Sequence, residues 1–240
     1  MTERNQRLCI WIGLLFLPLF WLGLLVAGWF PPPTPSLSVS EVARMFADDR
    51  TRIRVGVLIL TSAAPLLACY GAALTHQIRR HLGAASPLAT AQSLVAACLI
   101  LEFIIPQMIW QAGAFRSDRS PELVQLCYDI GWLMYIGVVG TAIVQMLLCA
   151  LAIFQDRRPE ALVPRWAAYV CIWSAIGVAG GSFCIFFQRG PLAWNGLVAF
   201  WLLAVAFFAW MLTMSWGMLR ASRRAESEET CLGAETSSSR

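Results

Sequence analysis

Six apolar runs, each about as long as a bilayer is thick, leave this chain few ways to fold. Crossing ~30 Å of hydrocarbon takes roughly 20 helical residues at 1.5 Å each. Leu8 to Phe30 and Val55 to Thr75 carry no charge, Pro87 to Phe115 carries only Glu102, and Leu123 to Gln155 only Asp129. Trp166 to Gln188 and Gly190 to Leu219 carry none. Backbone amides in lipid must be bonded within the protein, so only helices or closed barrels can cross, and the alternation of barrel strands is absent. The expected fold class is therefore all-α, a polytopic membrane bundle of six transmembrane helices over residues 1–220. An outer amphipathic loop is expected at 31–54 and a disordered cytoplasmic tail at 221–240, where apolar residues are few.

Composition narrows the function. Only 13% of the 240 residues are charged and 58% are hydrophobic, against about 25% charged in an average globular chain. That balance excludes a cytosolic enzyme and a nucleic-acid binder, and it makes the lipid bilayer the first partner. The first run follows Arg4 and Arg7 like a signal peptide, but bulky Leu25 stands where a cleavage site after Ala27 wants a small residue. An uncleaved anchor is expected. With the N-terminus inside, ten arginines up to Arg224 fall on the inner side and seven on the outer, and there is no lysine. The excess leans toward cytoplasmic N- and C-termini.

Between the first two spans, Pro31-Pro32-Pro33-Thr34-Pro35 cannot be helical and predicts a stiff polyproline segment leading away from the membrane. Ser38 and Glu41 have capping-box spacing, and Val42, Met45 and Phe46 share one face of the helix that follows. Such a helix lies on the outer surface or packs across the bundle mouth as a lid. Ser120-Pro121-Glu122 predicts the start of another helix. Trp29, Trp110, Trp166, Trp194 and Trp216 stand near span ends, where indoles form an interfacial belt, whereas Trp132, Trp173, Trp201 and Trp210 lie deeper. Gly177 and Gly181 suit close helix packing.

Glu102 is the most informative position. It stands near the centre of its span, where an acid costs roughly +2.5 to +3.5 kcal/mol on insertion scales. A carboxyl there is a candidate proton carrier, general acid or ligand anchor, or a group hydrogen-bonded to a neighbouring helix. Pro106, four residues on, removes the donor that would meet a carbonyl near it. Asp129 falls in the outer half of its helix; Arg52 and Arg54 lead into the second helix from the same side, and Arg54 is its candidate ion-pair partner. Gln107, Gln111, Gln125, Tyr135 and Asn195 share that half, and together they suggest a ligand-binding cavity opening outward. Glu102 and Asp129 are the catalytic candidates, should the protein be an enzyme. His76 and His81 are the only histidines and neither is deep in a span, which excludes a membrane di-haem site. The eight cysteines form no metal spacing. No cofactor or metal is expected.

Four strings, Trp29-Phe30-Pro31-Pro32-Pro33, Arg52-Ile53-Arg54-Val55-Gly56, Pro164-Arg165-Trp166 and Gly190-Pro191-Leu192-Ala193-Trp194-Asn195-Gly196, occur together. In these the chain resembles a group of uncharacterised bacterial six-helix integral membrane proteins, over most of its length except the tail. The resemblance implies the bacterial cytoplasmic (inner) membrane and gives weight to Arg52, Arg54 and Asn195 at one end. It implies no activity.

Three functions fit these residues. The first is a non-catalytic subunit of a membrane complex, or a binder of an apolar or amphipathic ligand, whose partner is another membrane protein or a hydrophobic small molecule. The second is a small secondary transporter in which Glu102 titrates. The third is a membrane-embedded enzyme using Glu102 and Asp129 as acid and base on a lipid or isoprenoid substrate. The first asks least of the sequence.

Overall fold

A computed structural model describes residues 3–158 and 161–238, with residues 226–238 described by backbone alone. It is a six-helix all-α bundle, with no strand among the described residues. The first span is α1 (Glu3–Leu14) and α2 (Phe16–Ala27), and the outer loop carries α3 (Val39–Asp48). The second span is α4 (Arg50–Ala63) and α5 (Leu66–Leu82), and the third is α6 (Pro87–Phe115). The fourth is α7 (Pro121–Gly137) and α8 (Gly140–Gln155). The fifth is α9 (Arg165–Ala179), tightening to a 3₁₀ segment at Gly180–Phe186. The sixth opens as a π-helix at Leu197–Leu202 and continues as α10 (Leu203–Ser238).

Neighbours in sequence pack as neighbours in space, and α1 against α10 closes the ring. Span limits shift where hydropathy and helix formation part company. The second span begins at Arg50 and runs to Leu82 because arginine, glutamine and leucine are good helix formers whatever their hydropathy. The first ends at Ala27, since Gly28 takes a left-handed conformation (φ 75°) and the Trp29 amide folds back to the Leu24 carbonyl. The sixth starts only at Leu197, after turns through Gly190–Gly196. Its helix passes Leu219 and continues to Ser238. Ala221 and Ser222 are buried against the bundle, and Ala, Arg and Glu favour continuation. The side chains of 226–238 and the whole of residues 239–240 lie outside the described residues.

Small residues set the spacing. A Cβ on Gly56 would strike the Ala27 backbone, and one on Gly23 would lie 2.5 Å from Leu60, so α2 and α4 meet at contact distance. Gly177 meets Ala206 and Gly181 meets the Ile136 carbonyl in the same way, which is the packing role expected of them.

The end of the bundle bearing the loop is sealed by aromatic rings. Trp29, Trp110 and Trp132 are fully buried, with centroids 4.8 Å apart for Trp29–Trp110 and Trp110–Trp132 and 5.5 Å for Trp29–Trp132. Trp194 stacks on Trp132 at 6.4 Å, and Phe46 of α3 meets Trp29 and Tyr128. Each such pair adds about 0.5–1.5 kcal/mol beyond its burial. The belt expected of Trp29, Trp110 and Trp194 is thus a buried plug, while Trp166 and Trp216 do stay half exposed. The proline segment does not lead away from the membrane either. It folds over the plug, because the Trp194 Nε1–H donates to the Pro33 carbonyl at 2.9 Å and the Tyr128 hydroxyl to the Thr34 carbonyl at 3.0 Å. The capping box of Ser38 and Glu41 forms, and Val42 and Phe46 are buried, so α3 is a lid.

Gly131 is the fulcrum of the plug, since a Cβ there would overlap the Trp110 indole nitrogen. Gly131→Ala should therefore cost about 1–3 kcal/mol by overpacking. A lowered thermal midpoint in detergent, with loss of the near-UV tryptophan dichroism, is the expected outcome. An unchanged midpoint would mean that the rings can shift freely.

Candidate functional site

Three spans bend or break at their midpoints, and the bundle's inner cavity lies beside one of these interruptions. Pro18 and Pro65 bend the first and second spans near Leu15 and Ala64. Between α7 and α8, Val138 and Val139 leave helical geometry, flanked by Gly137 and Gly140, which weaken the helix on both sides. The cavity beside this break is lined by Phe16, Phe20, Leu99, Glu102, Phe103, Tyr135, Val138, Val139, Ala142 and Phe207. The volume open to the centre of a water molecule is about 50 Å³, where one water needs roughly 10–15 Å³.

Glu102 lies on its rim, half-buried, and accepts a 2.7 Å hydrogen bond from the Thr141 hydroxyl. Thr141 is in the first turn of α8, so the break that forms the cavity also aims this donor. Pro106 leaves the Glu102 carbonyl without its helical donor, which puts a second acceptor at the same level. Tyr135 also lines the cavity, stacked on Phe20 and edge-on to Phe103. The Tyr135 hydroxyl and both ends of the Gln107 amide are buried side by side, and none reaches a partner at normal hydrogen-bonding geometry. The result is an aromatic chamber at mid-membrane with one carboxyl on its rim.

The remaining candidates do not join it. Asp129 and Gln125 line a separate polar cleft of about 520 Å³ at the loop end, with Ser36, Gln188 and Trp194. Asp129 has no hydrogen bond or ion pair among the described residues. The expected Arg54–Asp129 pair is absent, because Arg54 lies over the Phe115 ring at 5.9 Å. Gln111 points the same way, donating to the Arg54 carbonyl at 2.8 Å and lining a groove between α4 and α6. Arg52, in the first turn of α4, pairs with Asp49 at 3.1 Å, and Asn195 sits in the turns before the sixth span. These remaining candidates thus divide among four places, since residues one helical turn apart can still face different neighbours. Among the described residues, no group of three or more His, Cys, Asp or Glu could hold a metal.

A polar chain at the opposite end, where both termini of the bundle meet, had no signal in the sequence beyond its individual residues. Gln6 Nε2 donates to Gln77 Oε1 at 3.3 Å, and Gln77 Nε2 lies 3.2 Å from His81 Nε2. His81 Nδ1 is 2.9 Å from Asp156 Oδ2, with both side chains buried. The donors run in one direction, which assigns the Nδ1–H tautomer to His81. Arg80 binds Glu3 and the Ala221 carbonyl, and Arg158 binds the Arg80 carbonyl. Burial pushes the Asp156 carboxyl up, but the amides of Arg158 and Leu162 and the His81 ring outweigh it and hold the carboxyl below its ordinary value. A lowered folded-state value stabilises the protein above the ordinary aspartate range, and that stability is lost as pH falls through the folded value. Asp156→Asn should accordingly lower the thermal midpoint at neutral pH. The gap from the wild type should close only below about pH 3.9. A gap independent of pH would show that the carboxylate charge is not what joins this end.

Comparison with protein-family models, with curated proteins and with solved structures finds no match to this chain.

Proposed function

We propose that this protein binds a small apolar or amphipathic molecule in the mid-membrane chamber, without catalysis, either alone or as a subunit of a membrane complex. The observation that carries the reading is an aromatic chamber at mid-membrane whose rim holds the Glu102 carboxyl. Glu102 accepts one bond from Thr141 and keeps further acceptor capacity for a bound polar group or water. Rings supply the apolar contact, and the carboxyl and Thr141 fix orientation, the usual division of labour in a ligand pocket. Acid–base chemistry shared by Glu102 and Asp129 is not supported, since the two line different cavities.

The same reading places the chain in a bacterial inner membrane with both termini in the cytoplasm. Ten arginines against seven support that orientation, and the resemblance to bacterial membrane proteins supports the membrane.

Native mass spectrometry of the gently extracted protein tests the binding. The wild type should retain a defined small molecule. Glu102→Gln should lower its occupancy about tenfold, the equivalent of ~1.4 kcal/mol, and Ala204→Leu, which fills the chamber wall, should abolish it. A wild type that retains nothing, or an Ala204→Leu protein that retains as much, would overturn the reading.

A further inference from the structure

A second cavity lies on the outside of the bundle, between α5 and α6, and has a different character from the chamber. Its shaft is made of small residues, Ala68, Gly71 and Ala72 on α5 facing Ala96 and Ala97 on α6. The helices touch at its floor, where a Cβ on Gly71 would lie 2.6 Å from that of Ala96. Removing side-chain volume from two neighbouring lipid-facing surfaces leaves a trough of about 480 Å³. In a membrane this space takes a hydrocarbon chain or another helix.

The end of the trough decides between them. One turn below the end of α5, Arg79 and His76 line its mouth at the end of the bundle where both termini meet. Arg79 is exposed and makes no ion pair with a described residue, in contrast to its neighbour Arg80, which holds Glu3. Just inside them Thr75 lines the trough; it is only 6% exposed, and its buried hydroxyl has no hydrogen-bond partner. From mouth to floor the order is therefore cation, hydroxyl donor, then bare apolar wall.

That order is complementary to an acidic glycerophospholipid. We propose that the α5–α6 trough binds one such lipid molecule, its phosphate at Arg79 and His76, its ester region at Thr75, and one acyl chain along Ala68, Ala72 and Ala97. An apolar helix laid in the trough would match the small residues but would bury Arg79 beside it and leave the Thr75 donor unmet. The inference is independent of the chamber reading, because the two cavities share no lining residue.

The test is native mass spectrometry of the full-length protein equilibrated with mixed micelles of phosphatidylglycerol and phosphatidylcholine of identical chains. The wild type should hold one lipid through activation and prefer phosphatidylglycerol about fivefold, the contribution of one interfacial cation. Arg79→Gln should keep one lipid but lose the preference. Ala72→Trp, an exposed position that alters no buried packing, should lose the retained lipid of either headgroup. A wild type indifferent to headgroup would overturn the proposal, as would a retained lipid unaffected by Ala72→Trp. A wild-type dimer converted to monomer by Ala72→Trp would also overturn it, assigning the trough to a second copy of the chain.

Discussion

A backbone amide in hydrocarbon has no water to turn to, so every departure from helix inside a membrane must be covered by protein or open onto a cavity. This constraint organises the whole molecule. Among the described residues, the break at Val138–Val139 is the one interruption where two residues leave helical geometry in mid-span, and it is where the aromatic chamber lies. The bends at Pro18 and Pro65 keep most of their ladder, with the Leu19 amide still reaching the Leu15 carbonyl and the Ala64 amide the Leu60 carbonyl. The distinction between bend and break explains why the polar groups of the chamber collect beside α7 and α8 and not elsewhere.

The two ends of the bundle are held by opposite physics. At the loop end, Trp29 just after α2, rings from α3, α6 and α7, and the turn at Trp194 fill space without charge, and the proline segment is tied over them by two hydrogen bonds. At the other end, a directed chain from Gln6 to Asp156 joins α1, α5 and the residues after α8, and the arginines beside it reach α10. Between these two seals, the chamber with Glu102 lies at the depth of the hydrocarbon. The cleft with Asp129 lies toward the loop end, between α7, the 3₁₀ segment and residues Pro35–Leu37.

The spans were legible because charge is so costly in hydrocarbon that its absence over some twenty residues admits few readings. The lid helix was legible in part, since the reciprocal bonds of Ser38 and Glu41 are local and need only three-residue spacing. Glu102 could be picked out for the same reason as the spans. Its partner Thr141 could not, being 39 residues away on a helix whose rotation the sequence leaves open. The plug was hidden by a genuine degeneracy, because an indole near a span end satisfies its N–H equally at the interface or on a loop carbonyl such as that of Pro33. Asp156 and His81 are 75 residues apart and each is unremarkable alone. Grouping Gln111 with Gln107 failed because a one-turn spacing fixes a rough face but not which neighbour that face meets.

The central claim is that the two intramembrane carboxyls serve separate environments, Glu102 on the hydrocarbon side of the aromatic plug and Asp129 in a polar cleft at the loop end. Carbodiimide modification of the protein in lipid vesicles, followed by peptide mapping, tests this most directly. A reagent that partitions into hydrocarbon should modify Glu102 and spare Asp129, and a water-soluble one should do the reverse. Modification of both carboxyls by the water-soluble reagent would mean that they share an aqueous cavity, and would contradict the account.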